Sequence, residues 1–97
     1  MKSYFIVRIP RRTVVGSPTV MPTSYSSDCR EEAFKAARVL TCSPQNVIMR
    51  IDAKLFVYCY YVTVYEKNEE AALNYVRTQP RYEAMRDSGN PVFVYDD

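Results

Sequence analysis

The sequence predicts an α+β domain in which one four-stranded antiparallel sheet carries two helices on one face. Three observations lead there. The run from Leu55 to Tyr65 holds eleven β-favouring residues with no charge, Gly or Pro, the pattern of a central strand covered on both faces. Two amphipathic segments, opening at Asp28 and Asn68, carry helix-capping residues and helical spacing. The periodic segments follow one another as β-α-β-β-α-β, the order of the split βαβ arrangement with the first and third strands in its centre.

Taken in order, Tyr4 to Ile9 alternates Phe5, Val7 and Ile9 against Tyr4, Ile6 and Arg8 and stops at Pro10, which reads as the first strand. Residues 10–27 hold three prolines, Gly16 and many Ser and Thr without a helical period, so a long irregular connection is expected. Val14, Val15, Val20 and Met21 offer the alternative of a short extra edge strand. Asp28 with Glu31 three residues on forms a capping-box variant, and Ala33, Phe34, Ala37 and Leu40 recur on one face of a helix that ends by Ser43, before Pro44.

Val47 to Ile51 is the second strand, and Asp52-Ala53-Lys54 turns it into the long third strand as a hairpin. Asn68 caps the second helix, with Glu69 and Glu70 in its first turn and Ala72, Leu73 and Val76 on its inner side. Pro80 interrupts it and can open a further short helical turn through Met85, with Gly89 as a terminator. Pro91 to Tyr95 reads as the last strand, before the acidic end Asp96-Asp97. The resulting fold class is α+β, ferredoxin-like.

With 97 residues, 47% of them hydrophobic and 25% charged, the chain has the size and composition of one globular domain spanning residues 1–97. No apolar run approaches the roughly 18 residues that a membrane span needs. The start, interrupted by Arg8, lacks a secretory signal, so a soluble cytoplasmic protein is expected. Cys29, Cys42 and Cys59 form no C-x-x-C pair, which argues against a disulfide framework and a zinc site. Histidine is absent, excluding Ser-His-Asp and Cys-His nucleophiles and H-E-x-x-H sites. No cofactor and no metal are implied. Charge is uneven: residues 1–54 carry nine Lys/Arg against four Asp/Glu, residues 55–97 four against seven, so a mild dipole is expected.

Enzyme readings fail on residue type. Glu31-Glu32 and Glu69-Glu70 sit in first helical turns, where they complement the helix dipole. The segment Ile9 to Gly16 has arginines but lacks the glycine-rich phosphate loop of acylphosphatase-like proteins. Cys59 lies in an apolar strand, the setting of a structural and not a reactive cysteine. The chain is read as non-catalytic.

With both helices on one face, the other face displays Tyr4, Ile6 and Arg8 beside one parity of the third strand. A three-residue turn exposes Phe56, Tyr58 and Tyr60; a two-residue turn at Ala53-Lys54 exposes Val57, Cys59, Tyr61 and Tyr65. The candidate partner-binding residues are Tyr4, Arg8, Arg11, Arg12, Arg50, Tyr58, Tyr60 and Tyr61, chosen because Tyr and Arg dominate binding hot spots. The favoured partner is a protein or nucleoprotein complex; a twofold homodimer through the sheet face competes for the same residues. The alternative is a single-stranded RNA or DNA platform, with aromatics stacking bases and arginines meeting phosphate.

In element order the chain resembles an RNA-recognition motif, although Leu55 to Tyr61 contains no glycine or basic residue where that family's consensus has them. In size and style it is similar to the small anti-defence inhibitors that phages carry, including anti-CRISPR proteins. That resemblance rests on no motif and transfers no residues. It implies a blocker of a surface of a larger nucleoprotein complex, acting in the host cytoplasm if phage-encoded.

Overall fold

A computed structural model describes residues 1–12, 19–87 and 91–93. The fold is α+β: β1 (Ser3–Pro10), β2 (Met21–Ser27), α1 (Arg30–Thr41), β3 (Val47–Ile51), β4 (Lys54–Val57), β5 (Cys59–Glu66), α2 (Glu69–Thr78), α3 (Pro80–Asp87) and β6 (Val92–Phe93). Instead of one four-stranded sheet, the described strands form two three-stranded antiparallel sheets, ordered β2-β1-β5 and β3-β4-β6. The ferredoxin-like expectation is corrected on this point, and the cause lies in the long apolar run.

That run is not one strand. It breaks at Tyr58 into β4, central in the second sheet, and β5, at the edge of the first. The break is stitched from both sides: the Tyr58 N–H donates to the Asn46 carbonyl at 3.0 Å, and the Tyr58 carbonyl accepts from the Arg11 N–H at 3.0 Å. Cys59 follows at once, with its backbone held by the Asn46 side chain. The outer edge of β5 is thereby paired at Cys59, and again at Tyr61, whose N–H donates to the Thr41 hydroxyl at 3.3 Å.

The expected irregular connection over 10–27 is shorter than predicted, because Met21–Ser27 is an edge strand on β1. The alternative edge strand is met at Met21; Val14 and Val15 lie outside the described residues. Pro22 is tolerated at a sheet edge. The ladder is interrupted between Phe5 and Val7, where Ser24 takes a φ of 65° and the Thr23 hydroxyl donates to the Ile6 carbonyl at 2.8 Å.

The helices do not share one face. Paired residues in an antiparallel ladder point to the same side, so Phe5–Val64, Val7–Val62 and Ile9–Tyr60 face one way and Tyr4–Tyr65, Ile6–Thr63 and Arg8–Tyr61 the other. The first set joins one core with Ala72, Leu73 and Val76 of α2, Tyr82 of α3, and Leu55 and Val57 of β4. Across the second set lies α1, where the Thr63 hydroxyl donates to the Ala33 carbonyl at 3.4 Å and Ile6 is buried. The buried side of α1 is the small-residue stripe Ala33, Ala37 and Thr41, while Phe34 is 48% exposed.

Capping also differs between the helices. At α2, Asn68 Oδ1 accepts from the Ala71 N–H at 2.8 Å, as its sequence predicts. At α1 the N-cap is Cys29 with no side-chain cap bond, and Asp28 instead accepts from the Ser3 hydroxyl at 3.0 Å. The helical turn expected from Pro80 is α3, which runs to Asp87; Gly89 and residues 94–97 lie outside the described residues.

Candidate binding surface

Among the described residues, the β3–β4 hairpin brings three exposed apolar side chains close together in sequence. Its turn is Asp52-Ala53, both left-handed at φ 50° and 61°, with Ile51 paired to Lys54. This two-residue loop has the backbone signature of a type I′ turn. Pairing continues as Arg50–Leu55, Met49–Phe56 and, after a bulge at Ile48, Val47–Val57. Leu55 and Val57 are buried in the core. The opposite parity, Met49 and Ile51, therefore points outward, and the bulge adds Ile48. These three side chains are 48%, 51% and 43% exposed.

Tyr58, 42% exposed, stands at the bend where the hairpin meets the first sheet. Beside it a shallow cleft of about 320 Å³ is lined by Arg8, Tyr58 and Tyr61 together with Ser43, Gln45 and Asn46. The C-terminal end of α1 walls the cleft, where Leu40 is among its lining residues and the Thr41 hydroxyl accepts from the Tyr61 N–H at 3.3 Å. At the other end of the β1–β5 pairing Tyr4 and Tyr65 stack with ring centroids 4.5 Å apart, and the Lys2 ammonium sits 5.8 Å from the Tyr65 ring centre.

The eight predicted residues are thus divided among several places. Arg8, Tyr58 and Tyr61 share the cleft. Tyr4 lies on the same sheet face, beyond α1. Arg50 is exposed on the hairpin. Arg11 is turned inward, donating from Nη1 to the Val57 carbonyl at 3.3 Å. Arg12 is engaged by α3, with Nη2 on Glu83 and Nε donating to Asp87 Oδ1 at 2.5 Å. Tyr60 is 8% exposed, in the core beneath α2 and α3. Burial pushes its phenol pKa above the usual 10.0, and the nearby Arg11 charge partly offsets this.

An open aromatic sheet face is therefore absent from the described residues, and neither expected parity is exposed as a set. The bend at Tyr58 changes the phase between β4 and β5, and α1 covers the middle of the face. A twofold dimer through that face loses its premise for the same reason. Sequence reasoning missed Ile48, Met49 and Ile51 as surface residues. Apolar residues at both parities of β3 resemble a buried strand, and nothing local marks the bulge.

Cys29 is exposed, Cys42 half-buried and Cys59 buried, and all three are free. Among the described residues no cluster of three or more Cys, Asp or Glu side chains could hold a metal ion, and no helix is long and apolar enough to cross a membrane. No protein-family model, curated protein or solved structure matches the chain.

Proposed function

We propose that this chain is a non-catalytic protein-binding module that acts by covering a surface of a larger protein or nucleoprotein assembly. The observation that carries the reading is the outward apolar face of the β3–β4 hairpin, with Ile48, Met49 and Ile51 each close to half exposed and Tyr58 exposed at its base. Contiguous exposed apolar side chains of this kind mark interaction surfaces, and β3 lies at the edge of its sheet among the described strands, where a partner strand can add. The finer form of the proposal is an inhibitor of the anti-defence kind, supported by the small size of the chain and its lack of histidine chemistry.

The test is affinity capture from lysate of the native host, with and without nuclease, using the native chain and a Met49→Asp/Ile51→Asp variant. One stoichiometric protein complex that survives nuclease and disappears with the variant supports the reading. Equal capture by both proteins removes the hairpin from the interface. The second reading, single-stranded nucleic-acid binding, is favoured by one observation: Arg8, Tyr58 and Tyr61 line one cleft, although Arg8 Nη1 is directed at Met21 Sδ, 3.9 Å away. Capture that vanishes with nuclease, and salt-dependent binding to single strands lost on Arg8→Gln, would move the case there.

A further inference from the structure

We infer that the outer face of α1 is a second contact surface, built for an acidic segment of a protein partner; the inference rests on the protein-binding reading above. Arg30, Phe34 and Arg38 lie four residues apart, forming one exposed stripe on the flank of the helix, next to the buried Ala33, Ala37 and Thr41 stripe. Lys35 and Glu31 flank it. All five side chains are exposed and line one shallow depression of about 470 Å³. It carries three cations against one carboxylate.

Phe34 has no part in the core although it is the bulkiest apolar side chain of α1. Its ring instead supports the Arg30 guanidinium, whose central carbon lies 5.0 Å from the ring centre. Stacking a guanidinium on an aromatic ring fixes its plane while leaving the N–H edge available, the arrangement that accepts a carboxylate in bidentate fashion. Arg38 one turn beyond and Lys35 beside it extend the positive field along the helix, so a run of Asp or Glu with one apolar residue for Phe34 matches the surface in charge and character.

Nucleic acid fits less well. A base stacking on the face of Phe34 that Arg30 covers would have to displace the guanidinium from the ring. A carboxylate can dock on Arg30 where it already stands.

The experiment uses the full chain and three fluorescein-labelled probes: an acidic twelve-residue peptide of Asp and Glu with one central Phe, the same peptide with Asn and Gln, and a twelve-nucleotide oligo-dT. The expected result is salt-sensitive anisotropy binding of the acidic peptide, weakened roughly tenfold or more by Arg30→Glu/Arg38→Glu and by the amide peptide. Phe34→Ala should weaken it too, while Met49→Asp/Ile51→Asp should leave it unchanged. Circular dichroism of each variant checks that the helix is intact. No binding of the acidic peptide, equal binding by the charge-reversed protein, or tighter binding of oligo-dT would each overturn the assignment. The hairpin variant separates this surface from the hairpin: loss of capture by that variant with retained peptide binding places two surfaces on one module.

Discussion

The Asn46 side-chain amide is hydrogen-bonded to both backbone groups of Cys59, with Nδ2 donating to its carbonyl at 2.9 Å and Oδ1 accepting from its N–H at 3.0 Å. The amide thus stands in for a neighbouring strand at the start of β5. Nδ2 also donates to the Thr41 carbonyl at 2.9 Å, which ties the end of α1 to the same point. Asn46 is buried, so removing it strands three backbone groups away from water.

Asn46→Ala should therefore destabilise the fold by about 2–4 kcal/mol, since each buried polar group left unpaired costs about 1–3 kcal/mol and some relax toward solvent. Asn46→Asp should do no better, because a carboxylate facing two carbonyls keeps the acceptor and loses both donors. Urea unfolding checks both. A midpoint within error of the native chain would mean that the bend at Tyr58 is held by something else.

This clasp also explains how much of the fold could be read from the sequence. Asn68, the inner side of α2 and the helix opened by Pro80 are set by local chemistry and found where the pattern places them; the β3–β4 hairpin is present, but its turn is Asp52-Ala53, with Lys54 already paired in β4, instead of the expected Asp52-Ala53-Lys54 or Ala53-Lys54. The division of Leu55–Tyr65 is not local, because no residue in the run breaks a strand. Its cause, Asn46, lies outside the run, in the turn between α1 and β3. Met21–Ser27 reads as loop by composition and becomes a strand because β1 offers it an edge. Of the candidate site, Tyr58 and Tyr61 lie on opposite parities of an unbroken strand, so their meeting beside Arg8 needs the bend that the run does not announce, and the burial of Tyr60 depended on which face α2 and α3 took.

Ala53 holds a left-handed backbone, at φ 61°, that an alanine occupies only at a steric cost. Ala53→Gly should stabilise the protein by about 1 kcal/mol after the added freedom of the unfolded chain is counted. Ala53→Val should lower stability, because a β-branched residue fits that region worse. Thermal melts of the three proteins should rank Gly above Ala above Val; any other order would argue against the left-handed turn.

Two arginines join α3 to the end of β1, and burial separates their worth. Arg12 meets Glu83 and Asp87 with all three side chains about half exposed or more. Arg86 is 8% exposed and donates from Nε to the Pro10 carbonyl at 3.0 Å. Arg12→Ala should cost less than about 1 kcal/mol and the loss should shrink in high salt. Arg86→Ala should cost about 2 kcal/mol or more with little salt dependence, because it leaves a buried carbonyl without its donor. Denaturation at low and high salt compares them directly.

Tyr60 gives stability an alkaline limit. Its folded pKa lies above the unfolded value of 10.0, so on raising the pH the unfolded chain loses its proton first. The contribution is fully present below pH 10.0 and is lost as pH rises through the folded value, with a slope of at most about 1.4 kcal/mol per pH unit from this group. Tyr60→Phe keeps the ring and removes the titration. The difference in unfolding free energy between the two proteins should be constant from pH 7 to 9 and should move in favour of the Phe variant above pH 10.0. A difference that stays flat throughout would mean that the phenol is reached by water.

The last prediction concerns the closeness of α1 to the sheet. Ala33 is fully buried and Ala37 nearly so, against a face that contributes the buried Ile6, and the Ala33 carbonyl accepts the Thr63 hydroxyl at 3.4 Å. Such an approach leaves no room for a longer side chain. Ala33→Leu should therefore cost about 1–3 kcal/mol by overpacking and should widen the cleft at Arg8 and Tyr61 by lifting the helix. Phe34→Ser, one position along, removes a large aromatic side chain but should change stability by no more than about 0.5 kcal/mol, because Phe34 lies on the solvent side. The pair of variants inverts what residue size alone suggests. If Phe34→Ser proved the more damaging, the helix would be rotated by about 100° from the orientation described, as the 3.6-residue turn requires, and the cationic stripe would face the sheet instead of a partner.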